Sequence, residues 1–295
     1  MENKPTSEEK LWAVISQLSV FLSGTGLMMP AFAWAEYRKK SKYVAFQALQ
    51  AFCYQSLGYT LWSLAALIVI LILTFATLPL LKNGEGISQW MISHIVVMLG
   101  LYVIYLAIPV IAAIQSVSGR EYYYPLLGKR LARFIGYDPA ADPASPLDEP
   151  NVERFAAAMA DFAIVYPLWG MLPSLLFLIL PGVRSRYMQF HSLQTVIFQA
   201  ISTIVTIGLG ILSFFVFLSA VLPFAQNPTS LQPSIESMLS FFVFLLCLML
   251  VLLIVPLYQI VGQWAGLQIL RGYDYHYSLI GRWAERWLAK QEKKL

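Results

Sequence analysis

The chain has 295 residues, a formal net charge of +4, and a composition that is 58% hydrophobic and only 12% charged. A soluble domain approaches a quarter charged residues, so an ordinary soluble globular protein is excluded and the chain is read as a membrane protein with several spans of about 20 apolar residues each. Its basic excess lies beside hydrophobic runs and forms no separate polar domain, which points to anionic lipid as a partner and excludes nucleic acid.

A polar start, MENKPTSEEK, leads into an apolar segment, Leu11 to Tyr37, that is broken by Ser23-Gly24-Thr25-Gly26 and by Pro30. Ala33-Trp34-Ala35 resembles a signal-peptidase site. The run before it is too long for a signal h-region and has a counterpart in mid-chain, so it is read as retained. Next comes KSKYVAFQALQ, Lys40 to Gln50, and then an unbroken apolar run, Gly58 to Leu81. A short loop separates this from Trp90 to Val117, and GREYYYPLLGKR from Gly119 opens a basic amphipathic tail in which Leu127, Leu131 and Phe134 alternate with Lys129, Arg130 and Arg133. GYDPAADPASPLDEPN, Gly136 to Asn151, is rich in prolines and acids and reads as an exposed linker.

Beyond the linker the same plan returns. An interrupted segment, Phe155 to Leu180, is broken by Pro167, Gly170 and Pro173; RSRYMQFHSLQ follows from Arg184 to Gln194; and two apolar runs, Ile201 to Phe224 and Phe241 to Leu270, lead to GYDYHYSLIGRW from Gly272. Setting Lys40 against Arg184 pairs Tyr43 with Tyr187, Phe46 with Phe190, Gln50 with Gln194 and Gln55 with Gln199. Glu9 and Lys10 face Glu153 and Arg154, Pro30 faces Pro173 after a shift of one, and Tyr122, Tyr124 and Gly128 face Tyr275, Tyr277 and Gly281. The chain therefore reads as a tandem duplication, with repeats at 1–135 and 152–295 and the linker at 136–151. The fold expected is all-α: a polytopic membrane helical bundle of two repeats, each with an interrupted segment, two long spans and an interfacial amphipathic helix.

Basic residues crowd after the first interrupted segment, after each second span and after the second interrupted segment, whereas the remaining two loops hold only Lys82. If each interrupted segment crossed once, the copies would be inverted and positive clusters would fall on both faces. If each dips and returns, or forms paired half-helices, every cluster falls on one face. The second arrangement is expected, in a cell membrane with both termini and the linker cytoplasmic. Lipid-headgroup contacts are then assigned to Lys40, Lys42, Tyr43, Arg184, Arg186 and Tyr187, and to Trp283 and Trp287 on a surface helix beside Arg282, Arg286 and Lys290.

Gln47, Gln50 and Tyr54 lie at i, i+3 and i+7, a polar stripe whose second-copy positions are His191, Gln194 and Phe198, with Gln55 and Gln199 flanking it. Two readings stay open: a polar path or contact between the halves, or a helix start whose amides bond locally. Asp161, the counterpart of Gln17, is a functional candidate as an acid in an apolar segment, and a solvated or hydrogen-bonded place near the interface is expected for it. His94 reads as a polar anchor at a span's start. Cys53 and Cys247 have no partner spacing and read as inert buried thiols. No nucleophile with a base, phosphate-binding glycine loop or metal cluster is visible, so neither enzyme activity nor a cofactor is expected.

The pattern Glu9-x-Leu11-Trp12-Ala13, the late proline, Phe46-Gln47-Ala48-Leu49-Gln50-Ala51 with Phe190-His191-Ser192-Leu193-Gln194-Thr195, and GREYYYP resemble the bacterial relatives of the central membrane subunit of the chloroplast inner-envelope import (Tic) channel. That resemblance implies a four-helix membrane domain, here doubled, with a role in protein translocation or membrane-protein assembly and a need for membrane-protein partners. The alternative expectation is a small-solute or ion transporter with a site between the repeats.

Overall fold

The computed structural model describes residues 5–81, 87–140, 146–183, 185–226 and 235–292. Helix α1, Ser7–Leu18, starts at a capping box in which the Thr6 hydroxyl accepts from Glu9 N at 3.2 Å and the Glu9 carboxylate accepts from Thr6 N at 2.6 Å, two donors that would otherwise be unpaired. A 3₁₀ stretch, Ser19–Leu27, carries Ser23 at φ +53 and turns the chain. Helix α2, Met28–Tyr37, then runs back, with Pro30 in its first turn where no backbone donor is needed. The Tyr37 hydroxyl donates to Glu8, and Trp12 packs 5.5 Å from Phe32 and 5.8 Å from Tyr37. The two ends of the segment therefore meet. By length and hydropathy Ser7–Tyr37 could cross a bilayer, but it folds back on itself as a pair of half-helices.

Helix α3, Lys42–Cys53, is capped by Ser41, whose hydroxyl accepts from Val44 N at 3.3 Å, and passes through a π turn, Tyr54–Gly58, into α4, Tyr59–Leu81. Helix α5, Ile87–Val117, returns, and α6, Gly128–Ile135, ends at Gly136 with φ +69. The linker is less exposed than its composition suggests: Tyr137 and Leu147 are buried in the core, and Asp148 N donates to Ile135 O at 2.9 Å. Residues 141–145 of it lie outside the described residues.

Helices α7, Glu149–Phe162, and α8, Leu172–Ile179, form the second hairpin around a tip with Leu168 at φ +66. Ser185 Oγ donates to Glu153 at 2.7 Å and so ties the end of the hairpin to its start. Helices α9, Arg186–Gln226, α10, Ile235–Leu270, and α11, Ser278–Glu292, complete the chain. Both basic-aromatic motifs thus form the first turns of long helices and are not junctions ahead of them, because Ser41 and Ser185 supply the caps.

Helix α9 has 41 residues, which at 1.5 Å per residue is about 60 Å, roughly twice the hydrocarbon thickness of a bilayer. Exposure divides it. Met188, His191, Gln194, Phe198 and Gln199 are buried, whereas Ile204, Ile211, Phe214 and Phe215 are open. The α3–α4 helix divides likewise, with α3 buried and Leu64, Ile68, Ile72 and Phe75 of α4 open. Bare apolar surface on this scale is stable only in lipid. The far halves of α4, α5, α9 and α10 therefore cross the membrane, and the near halves join both hairpins in a packed core at one face.

In that core the repeat-equivalent residues Trp34 and Phe177 pack edge to face at 5.0 Å. A residue meets its own equivalent at a two-fold axis, and an axis along the membrane normal keeps both basic ends on one face. Arg38, at the end of α2, reaches Glu149 and Glu153 of α7, each at 2.7 Å. Cysteines replacing Leu126 and Leu279, which are repeat-equivalent and 88% and 75% exposed, test this arrangement in a chain whose Cys53 and Cys247 are alanine. Both should react with an impermeant thiol reagent from the same side of sealed vesicles. Reaction of one from each side would mean inverted repeats.

Candidate functional site

The polar stripe is a clamp, and its partners lie within its own repeat. Gln50 Nε2 donates to Tyr122 O at 3.0 Å while Gln50 Oε1 accepts from Tyr124 N at 3.0 Å. Gln194 does the same with Tyr275 O at 2.8 Å and Tyr277 N at 3.3 Å. Each glutamine thereby satisfies an extended tyrosine-rich stretch that pairs with no strand among the described residues. Gln47 Nε2 donates to Tyr122 O at 3.3 Å. Gln55 Nε2 donates to Ser16 O at 3.0 Å and Gln199 Nε2 to Ala160 O at 2.9 Å, which fastens the π turn of the first copy and the matching turn of α9 to their neighbouring hairpins. The amides bond a stretch of their own repeat more than 70 residues away, and not the start of their own helix.

Below the clamp the second tyrosine reaches the α1 or α7 position. Tyr124 donates to Gln17 Oε1, and Gln17 Nε2 donates to Gln47 O at 3.3 Å. In the second copy Tyr277 donates to Asp161 Oδ1 at 3.0 Å and Thr195 to the same oxygen at 2.7 Å. Asp161 is hydrogen-bonded, as expected, but it is completely buried and not solvated, because α7, α9 and the tyrosine stretch close over it. Burial pushes its carboxyl up to about 7 against the lowering effect of the Thr195 and Tyr277 hydrogen bonds.

The assigned headgroup contacts divide. Lys40 is exposed and pairs with Glu36, and its amine sits 5.7 Å from the Tyr37 ring centre. Lys42 and Arg186 are the first residues of α3 and α9. Tyr43 is buried instead of reaching headgroup depth, because α3 is enclosed on every side, and Tyr187 is half-buried against His191 at 4.4 Å. Trp283 and Trp287 are exposed on the outer face of α11 with Leu279. Arg184 lies outside the described residues, as do Lys82, Lys293 and Lys294. His94 has one ring nitrogen 3.0 Å from Thr74 Oγ1 and the other 2.8 Å from Trp90 O. Cys53 and Cys247 are free and buried. Among the described residues no three His, Cys, Asp or Glu side chains converge as a metal set. Thr195, Tyr124, Tyr277 and Arg38 were not singled out from the sequence, although the tyrosines recur at matched places in both copies.

Helices α1 to α5 and most of α6 carry one complete clamp. Residues 8–132 match the model of the magnetosome magnetite crystal formation protein family (MamF/MmsF). This overturns the resemblance to the envelope-import family, which rested on glutamine and aromatic motifs of a few residues that any clamp of this kind would carry. Gln17, Gln47, Gln50, Gln55, Tyr122, Tyr124 and Gly128 all fall inside the match to the family; their second-copy counterparts fall outside it. No curated protein and no solved structure matches the chain.

Replacing Gln194 by alanine strands Tyr275 O and Tyr277 N together, and each buried unpaired group costs about 1–3 kcal/mol. The unfolding midpoint of the purified protein in detergent should fall markedly, and an unchanged midpoint would mean the clamp is ornamental. Asp161 gives a pH signature. Its folded-state carboxyl is raised from 3.8 to about 7, so across that interval the folded chain keeps a proton that the unfolded chain releases, and stability falls as pH rises. Asp161→Asn retains an oxygen for Thr195 and Tyr277 and should flatten that dependence. A slope that survives the substitution would assign it to another group.

Proposed function

We propose that the chain is a non-enzymatic membrane scaffold acting in crystal formation at a membrane, the role named by the family that its first repeat matches. The observation that carries this reading is the match over residues 8–132, which spans the first hairpin, clamp and pair of crossing helices. The geometry supports it. The Gln50 and Gln194 amides are engaged at both their atoms within their own repeats, and Arg38 locks the repeats together through Glu149 and Glu153. This favours a stiff platform over a transporter, whose polar groups would have to exchange partners with a solute. Exposed Lys39, Lys40, Lys129, Arg130 and Arg133 surround the platform and suit an anionic leaflet on the cytoplasmic side, where each basic residue contributes about 1 kcal/mol. Other membrane proteins are the partners such a platform would gather.

Expression in a magnetite-forming bacterium that lacks its own members of this family tests the reading. The tagged chain should fractionate with crystal-bearing membranes and restore crystal size seen by electron microscopy. Crystals unchanged in size, with the chain spread elsewhere, would overturn it.

A further inference from the structure

A cleft of about 310 Å³ opens between the first turns of α9, the stretch after α10, and α11, with Arg186, Phe190, His191, Asp274, His276 and Glu285 in its wall. At the equivalent place in the first repeat the space is filled from within. There Phe46, the equivalent of Phe190, stacks on Tyr137 at 4.1 Å, and the Tyr137 hydroxyl donates to Glu121, the equivalent of Asp274, at 2.6 Å. Tyr137 can do this because the chain turns at Gly136. In the second repeat the equivalent position is Lys290, carried onward by α11. The aromatic face and the acceptor remain while their internal occupant is gone.

His191 adds a donor. Because Gln194 Oε1 is committed to Tyr277 N, its Nε2 faces Tyr275 O and lies 3.1 Å from His191 Nδ1. Nδ1 must then accept, which puts the proton of the neutral ring on Nε2. That N–H is buried, in a residue 1% exposed, has no hydrogen-bond partner, and lies 3.8 Å from Asp274 Oδ1 on the cleft wall. A buried orphan donor is costly and implies an acceptor that completes it. The cleft thus offers donors at His191 and Arg186 and acceptors at Asp274 and Glu285, which are 73% and 54% exposed.

We propose that the cleft binds phosphoethanolamine as the headgroup of a zwitterionic phospholipid. The phosphate oxygens take the His191 Nε2 proton and the charge of Arg186 at the start of α9, where the helix dipole also favours an anion. The ammonium lies between Asp274 and Glu285 and against the Phe190 ring, which replaces the Tyr137 contact of the first repeat with a cation–π contact. Inorganic phosphate would meet two carboxylates unrelieved, and a plain amine would leave His191 unsatisfied. A lipid is the source that fits, because α11 presents exposed Leu279, Trp283 and Trp287 beside the cleft as a face suited to a membrane surface.

Native mass spectrometry of the protein released from vesicles of equal phosphatidylethanolamine and phosphatidylglycerol content tests the proposal without reference to crystal formation. The wild type should retain phosphatidylethanolamine selectively. Asp274→Asn with Glu285→Gln, which alters exposed groups only, should reduce that selectivity about tenfold, the worth of one charge-assisted hydrogen bond. His191→Gln, which installs the residue that the first repeat carries at Gln47, should weaken retention while preserving the fold. Equal retention of the two lipids, or a preference indifferent to the double substitution, would overturn the proposal. Binding of soluble phosphoethanolamine with no lipid preference would overturn the lipid source.

Discussion

Three tyrosines held extended beside a membrane, with no strand to pair with, need a partner for each backbone group that loses water. One glutamine in each repeat supplies an acceptor and a donor at once, and much else follows from its position. Because the Gln50 amide lies flat against the tyrosine stretch, a Cβ at residue 128 would come within 2.6 Å of Gln50 Oε1 and 2.7 Å of Tyr123 Cα. Glycine there lets α6 start where it does. The same register aims the Tyr124 hydroxyl at Gln17, so α1 is drawn onto α3 by a polar bond as well as by apolar burial. Gln55 and Gln199 extend the fastening one turn deeper, toward the hairpin tips.

The two copies share this frame and differ in what it encloses. Gln17 and Gln47 are amides; Asp161 and His191 at the same places can change charge, and Thr195 stands where Ala51 does. The first copy is sealed by Tyr137 from the linker, and the second is open at the corresponding cleft. The tie between copies is also one-sided. Arg38 has Gly182 at its repeat position, so the Arg38 contacts to Glu149 and Glu153 have no mirror image. Removing Arg38 would leave the largely buried Glu153 carboxylate uncompensated, and breaking a buried pair in this way commonly costs about 3–5 kcal/mol. The guanidinium also lies 5.3 Å from the Trp34 ring centre, next to the Trp34–Phe177 contact at the pseudo-axis.

Much of this was legible in the sequence. Helical class, membrane placement and the folding back of the interrupted segments follow from hydropathy, glycine and proline breaks and the distribution of lysine and arginine. The spacing of Gln47, Gln50 and Gln55 marked the right side chains, but periodicity along one helix names a face and says nothing about what covers it. Here the cover is a stretch more than 70 residues away in sequence. Tyr43 was misplaced for a related reason: beside Lys42 it has the composition of an interfacial anchor, and only tertiary packing around α3 buries it. The family assignment failed on motif length. Glutamine and aromatic residues at helical spacing are what a clamp demands in any fold that uses one, so they carry little ancestry.

Hairpins that fold back on themselves raise a difficulty that one copy alone does not resolve. Their tips carry turns whose backbone groups lack helix partners, and each such group that is buried unpaired is expensive. Gly26 and Gly170 allow each turn to close on the Ser19 or Ala163 carbonyl, where any Cβ would overlap the oxygen. The remaining surface of the first tip is covered by the second: a Cβ at Gly24 would lie 2.9 Å from Trp169 Cβ and 3.0 Å from the Tyr166 ring. Tyr166 stacks on Tyr59 at 4.5 Å, and Gln263 Nε2 donates to Thr60 Oγ1 at 3.2 Å and to Phe162 O at 3.1 Å. Separated from its partner, the first repeat would present Trp34, Phe52 and an uncovered tip. Fusing two copies through a linker whose own ends are anchored in the core keeps that cover permanently at hand, as an intramolecular contact with no dependence on protein concentration.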